Sequence, residues 1–149
     1  MLEFCMKKIT PFLWFDNNAK EASDFYVSVF KNSKITDTNP MMTSFTLDGQ
    51  DFIALNGGPM FKFTEGVSFF VNCENQEEVD YYWEKLSADP ASEQCGWLKD
   101  KYGLSWQIVP KQLGEFIGNP DRAKADKAMQ AMLKMKKIDV SKLAEAFNS

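Results

Sequence analysis

The chain changes its hydrophobic period repeatedly, and each change marks an element. Residues 7–15, KKITPFLWF, form an aromatic and apolar run that predicts a buried strand. In the DNNAKEASDFYVSVFKNSK that follows, Ala19, Ala22, Phe25, Tyr26, Val29 and Phe30 recur at helical spacing. Asp16 to Asn18 supply N-caps and Asn32 a stop. KIT (34–36) predicts a short strand and DTNP (37–40) a loop. MMTSFTL and QDFIALN flank Asp48-Gly49, a strong local signal for a two-residue hairpin, and GGP (57–59) breaks the pattern.

The same order then begins again. GVSFFVNC (66–73) reads as a strand. ENQEEVDYYWEKLS (74–87) reads as a helix with Val79, Tyr82, Trp83 and Leu86 on one face. ADPAS is a loop, and QCGWLKDKYGLSWQIVP closes the round as a hairpin turning at Asp100–Gly103. Thr10 to Asn17 (TPFLWFDN) matches Ser68 to Asn75 (SFFVNCEN) at an offset of 58, and Asp24-Phe25-Tyr26 matches Asp80-Tyr81-Tyr82 at an offset of 56. A duplicated βαβββ unit follows: module one over about 7–58, module two over about 65–110.

Beyond Pro110 the pattern becomes purely helical. LGEFIG is a short turn or helix. NPDRAKADKAMQAMLKMKKI is expected to open with Asn119 as N-cap and Pro120 at the first helical position. Ala125, Ala128, Met129, Met132 and Leu133 form its apolar stripe, for packing on the body or on a second subunit, and DVSKLAEAFNS adds a last short helix. Residues 111–149 thus form a helical extension of what reads as one domain over 1–149. The strand pattern begins only at Lys7, which makes Met6 a candidate start.

Composition narrows the chemistry. With 17 Lys and Arg against 21 Asp and Glu, the net charge of −4 argues against nucleic acid as a partner. No apolar run approaches the ~20 residues that cross a membrane, and no signal-peptide pattern is visible. Cys5, Cys73 and Cys95 are odd in number and widely spaced, which fits free thiols in a reducing, cytoplasmic setting. There is no histidine, so imidazole-based catalysis and imidazole metal ligation are excluded.

The stretches ITPFLWFDNNAKEASDFY, LDGQDFIALNGGP, FKFTEGVSFFVNCENQEEVDYYW, QCGWLKDKYGLSWQIVP and AMLKMKKID together resemble the PhnB-like group of the vicinal oxygen chelate superfamily, over about residues 7–139. That superfamily includes glyoxalase I, extradiol dioxygenases and bleomycin-resistance proteins. The loop after Ile35 is shorter than in that group. The resemblance implies an α+β fold: two βαβββ modules forming curled antiparallel or mixed sheets around a cleft, with the C-terminal helices added. It also implies a homodimer.

Metal-dependent members line the cleft with His, Glu or Gln from the first and last strands of each module. Those places fall on Thr10, Ser68, Gln107 and, in the first hairpin, near Ala54 or Asn56. Neutral oxygen donors of this kind do not suit a divalent transition metal, so no metal and no cofactor is expected. Strand alternation from these anchors adds Phe12 and Trp14, Phe70 and Asn72, Phe52, and Ser105 to the cleft, and turns Trp106 and Ile108 into the core. Aromatic walls with neutral polar tips suit a small, largely apolar or planar ligand.

Three functions remain open: a binder of a small molecule, an enzyme (transferase, lyase or isomerase) with Gln107 as the best catalytic candidate, or a dimeric scaffold. Similar proteins carry a demethylubiquinone methyltransferase label, yet the chain has no glycine-rich strand-to-helix loop for a nucleotide cofactor. Asp48 and Asp100 read as turn residues rather than bases. Cys73 reads as inert and Cys95 as a buried thiol.

Overall fold

In the computed structural model, which describes residues 7–149, the first module is built outward from its tight turn. Asp48 and Gly49 take φ of 48° and 83°. They pin β3 (Met42–Leu47) to β4 (Gln50–Asn56) with Leu47 opposite Gln50 and Phe45 opposite Phe52. β1 (Phe12–Phe15) runs parallel to β4, and β2 (Lys34–Thr38) antiparallel to β3, in the order β1-β4-β3-β2.

One face of this sheet carries Leu13, Phe15, Phe45, Leu47, Phe52 and Ala54, all buried. Against it lies α1 (Ala19–Val29), whose Ala19, Ala22, Tyr26 and Val29 are buried too. The rings form a stack: Tyr26 on Phe45 at 6.2 Å, and Phe45 on Phe52 at 5.3 Å. Burying each such ring contributes about 2 kcal/mol or more.

The second module has β5 (Ser68–Cys73), α2 (Gln76–Leu86), β6 (Trp97–Lys99) and β7 (Ser105–Pro110), in the sheet order β5-β7-β6. It is one strand short. Where the first module has β2, the second has a 3-10 turn at Pro90–Ser92, with Ala88 N–H bonded to Lys99 O at 3.0 Å and Gln94 N–H to Trp97 O at 3.1 Å. Pro90 has no N–H for a ladder, and the Asp89 carboxylate accepts from Ala91 N–H at 3.2 Å, which favours a turn over a strand. Phe69, Leu98, Trp106 and Ile108 face the α2 side of this sheet, with Trp106 and Ile108 buried as expected.

The C-terminal extension comprises α3 (Lys111–Ile117), α4 (Arg122–Leu133) and α5 (Val140–Asn148). α4 starts two residues later than Asn119-Pro120 predicts. Asp121 is its cap, because that carboxylate reaches Lys124 N–H at 3.2 Å while the Asn119 side chain accepts from Asp121 N–H, ahead of the helix. Of the apolar stripe, Ala125 and Ala128 are buried and Leu133 is exposed.

The segment between α4 and α5 is tied to the second module. Cys95 N–H donates to Met135 O and Gly96 N–H to Lys136 O, both at 2.8 Å. The Gln76 side chain bonds both Ile138 O (3.0 Å) and Val140 N–H (2.7 Å), and Lys137 pairs with Asp80 at 2.8 Å. Gly96 has φ of 86°, and a Cβ there would lie 3.1 Å from Ile108 O and 3.2 Å from the buried Ile138. The described chain divides into two compact units between Phe63 and Thr64. None of its described helices is long and apolar enough to cross a membrane.

Candidate functional site

The face of the second sheet turned away from α2 brings most of the predicted second-module residues together. Ser68, Ser105 and Lys99 form one row across the three strands, and Phe70, Gln107 and Trp97 form the next. Asn72 stands one step further, beside Val109. Gln107 donates from Nε2 to Ser68 Oγ at 3.0 Å, so the two side chains orient each other. Phe70 is 55% exposed, and Ser105 is buried with a hydroxyl that finds no partner. Lys99 is paired with Glu65, whose carboxyl the Lys99 hydrogen bond holds below its ordinary value. Sequence reasoning missed Trp97 and Lys99; their alternation with the core residue Leu98 was the available signal.

The first module behaves differently. Phe12 and Trp14 do share a face, with Phe12 53% exposed. Phe52 and Ala54 do not join them. Leu13 is in register with Ala54 and Phe45 with Phe52, so both lie on the buried α1 side; the open-face residues of β4 are Ile53 and Leu55. A strand placed one residue out of register changes every face assignment. Asn56 is occupied elsewhere: its Oδ1 accepts from Ala19 N–H at 2.9 Å at the start of α1, and its Nδ2 donates to Pro40 O at 3.0 Å.

Thr10 Oγ1 donates to Lys7 O at 3.2 Å. Trp14 lies across Gly57, where a Cβ would come within 2.4 Å of the indole. Its Nε1 donates to Gly58 O at 2.9 Å, and its ring meets Phe61 edge-on at 4.9 Å. Trp14 therefore holds down the module's own C-terminal segment.

A metal centre of the superfamily's kind does not fit these residues. Phe12 and Phe70 correspond in the repeat, and their partners on the last strands are Ile53 and Gln107. The true counterpart of Gln107 is thus an aliphatic side chain. Ser68 and Gln107 are bonded to each other, and Asn56 caps a helix. Among the described residues no three His, Cys, Asp or Glu side chains are grouped as metal ligands.

The remaining candidates have structural duties. Asp100 is buried: Oδ1 accepts from Tyr102 N–H (2.9 Å) and Leu104 N–H (3.1 Å), and Oδ2 from Trp106 Nε1 (2.9 Å). Burial, seconded by the Glu78 charge, pushes the Cys73 thiol up to about 12. Cys95 is half-buried rather than buried, because it lies at the junction with the extension, its Sγ 3.5 Å from Leu133 O. Cys5 and Met6 fall outside the described residues.

Two open mixed sheets, each served by one crossover helix, define a fold of the glyoxalase and vicinal oxygen chelate class. Within that class the chain belongs to the PhnB-like family, its residues 7–109 matching the family model described as 3-demethylubiquinone-9 3-methyltransferase. A PhnB protein from Bacillus cereus is similar at 36% identity and a TM-score of 0.58, covering 70% of this chain and 99% of that one. A protein from Pseudomonas aeruginosa shares the fold at 17% identity and a TM-score of 0.53, covering 70% of this chain and 98% of its own. No curated protein matches the sequence. The family match ends at Val109, short of α3, α4 and α5.

Proposed function

We infer that the chain binds a small, partly aromatic molecule on the open face of its second sheet, and does so without a metal. The observation that carries this reading is the row Phe70–Gln107–Trp97, which sets an oriented amide between two aromatic side chains on an open sheet face. Such a lining, apolar with a few fixed polar groups, is what small-molecule sites use. Native mass spectrometry of freshly purified protein tests it. A retained organic molecule with no bound metal, lost in Gln107→Ala, is the expected result; a stoichiometric transition metal defeats the metal-free reading.

The family description favours a second reading, an enzyme acting on the same face, methyl transfer included. The local geometry gives methyl transfer little support. The turns entering α1 and α2, Asp16–Asn18 and Glu74–Asn75, contain no glycine. The start of α2 is already occupied by Asn75 Oδ1 accepting from Glu78 N–H and Glu78 Oε2 accepting from Glu74 N–H. Turnover of a retained molecule that vanishes in Gln107→Ala would favour the enzyme. The same inference takes the protein to be a cytoplasmic homodimer, which light scattering after size exclusion tests for the oligomer.

A further inference from the structure

Asn56 is followed by Gly57, the chain's one Asn-Gly pair. Glycine carries no Cβ to hinder its own nitrogen from reaching the preceding side chain, so this pair is the asparagine sequence most prone to close a succinimide ring. In that reaction Gly57 N gives its proton to water or hydroxide and bonds to Asn56 Cγ, and the side-chain nitrogen leaves as ammonia. Water then opens the ring at either carbonyl, to aspartate or to isoaspartate. The sum is an amide and water giving a carboxylate and ammonium, with no oxidant, metal or cofactor.

The fold holds each reacting atom back. Asn56 ends β4 in register with Phe15, and extended backbone turns the Gly57 nitrogen away from the Asn56 side chain. Ring closure needs a rotation about ψ that the ladder opposes. Gly57 N–H is bonded to Phe15 O at 2.8 Å. The Asn56 amide is fixed at both ends, Oδ1 by Ala19 N–H at 2.9 Å and Nδ2 by Pro40 O at 3.0 Å. Trp14 lies over Gly57 and donates to Gly58 O at 2.9 Å. Asn18, at the cap position of α1, makes no side-chain cap bond, so the start of that helix leans on the same Asn56 oxygen.

We propose that Asn56-Gly57 is a modification site that the fold guards: it deamidates only while the end of β4 is detached from α1 and Trp14, and so turns a passing opening of the first module into a permanent one. Strand ends and turns open locally far more often than a whole domain unfolds. Both products prevent a clean return. Aspartate keeps an acceptor for Ala19 N–H but loses the donor to Pro40 O, which leaves two acceptors facing each other. Isoaspartate moves the side-chain methylene into the main chain. The bonds from Asn56 N–H to Met41 O and from Gly57 N–H to Phe15 O then cannot both re-form.

The test incubates the full chain in mildly alkaline buffer, folded and in denaturing urea, and follows the peptide containing Asn56 by mass spectrometry. Conversion is expected to be at least thirtyfold slower in the folded chain. Trp14→Phe, which removes the bond to Gly58 O and keeps a ring over Gly57, should convert at least fivefold faster than the parent when folded and at the same rate in urea. If that variant does not fold, urea below the unfolding transition serves in its place and should raise the rate in the parent chain. Converted chain, separated by ion exchange, should melt at a lower temperature than unconverted chain. Equal rates folded and unfolded, or no conversion in urea, overturn the proposal. So do a folded rate that neither Trp14→Phe nor mild urea raises, and a converted chain that melts unchanged.

Discussion

Ile53 and Gln107 occupy the same rung of the two modules, opposite Phe12 and Phe70, and the contrast between them runs through both repeats. In the first module the surroundings are spent on the fold: Asn56 caps α1, and Trp14 clamps Gly57, Gly58 and Phe61. In the second, an amide and an exposed ring stand on the open face without a structural duty that requires them. Duplication supplied two equivalent surfaces. One has been turned to holding its own chain, and the other has been left with uncommitted hydrogen-bonding capacity.

The turns give the largest test of that contrast. Asp100→Ala strips the partner from two backbone N–H groups and the Trp106 indole in a buried site, and should cost about 4 kcal/mol in urea unfolding. Asp48→Ala, at the exposed turn of the first module, should cost only about 1 kcal/mol, for a left-handed alanine. Equal losses would contradict the view that the second hairpin depends on its carboxylate.

Next comes the clamp. Gly57→Val drives a side chain into the Trp14 ring and should cost about 2 kcal/mol by thermal denaturation, whereas Phe70→Ala should cost less than about 0.5 kcal/mol. A smaller effect separates the polar residues. Asn56→Ala should lose about 1 kcal/mol with the helix cap, and Gln107→Ala about 0.5 kcal/mol while losing ligand.

One difference is silent at neutral pH. Phe15 and Cys73 correspond in the repeat, and only the second titrates. Because the folded thiol is raised above its ordinary 9.0 to about 12, the unfolded chain ionises first, and stability is intact below pH 9 and falls as pH rises through that window. Cys73→Val should flatten the alkaline limb of a stability–pH curve; an unchanged limb would show that Cys73 does not set it.

Much of this architecture was legible in the sequence because it rests on local signals. The Asp48-Gly49 pair, the helical spacing of Ala19 to Val29 and the echo of TPFLWFDN in SFFVNCEN lead to the elements observed. The second-module face was legible too, since alternation from Ser68 reaches Phe70 and Asn72 without a register to guess. The first-module face was not. Placing Phe52 and Ala54 requires knowing which residue of β1 meets which residue of β4, a long-range pairing that composition does not encode. The two-residue turn held a clue: it sets Phe52 against Phe45, which alternates with the apolar Leu47. The lost strand of the second module escaped because its replacement, Ala88 to Gln94, makes its hydrogen bonds singly rather than as a ladder.

The tie between Cys95–Gly96 and Met135–Lys136 sets a timetable for synthesis. Every residue of the first module's sheet and helix has been made by Asn56, so that unit has its partners early in translation. The edge of the second sheet waits for residues made some forty positions later, and Gln76 waits longer still for Val140. A ribosome paused or terminated before residue 135 would therefore hold a finished first half and a second half with an unsealed edge, the state in which strand edges recruit other chains.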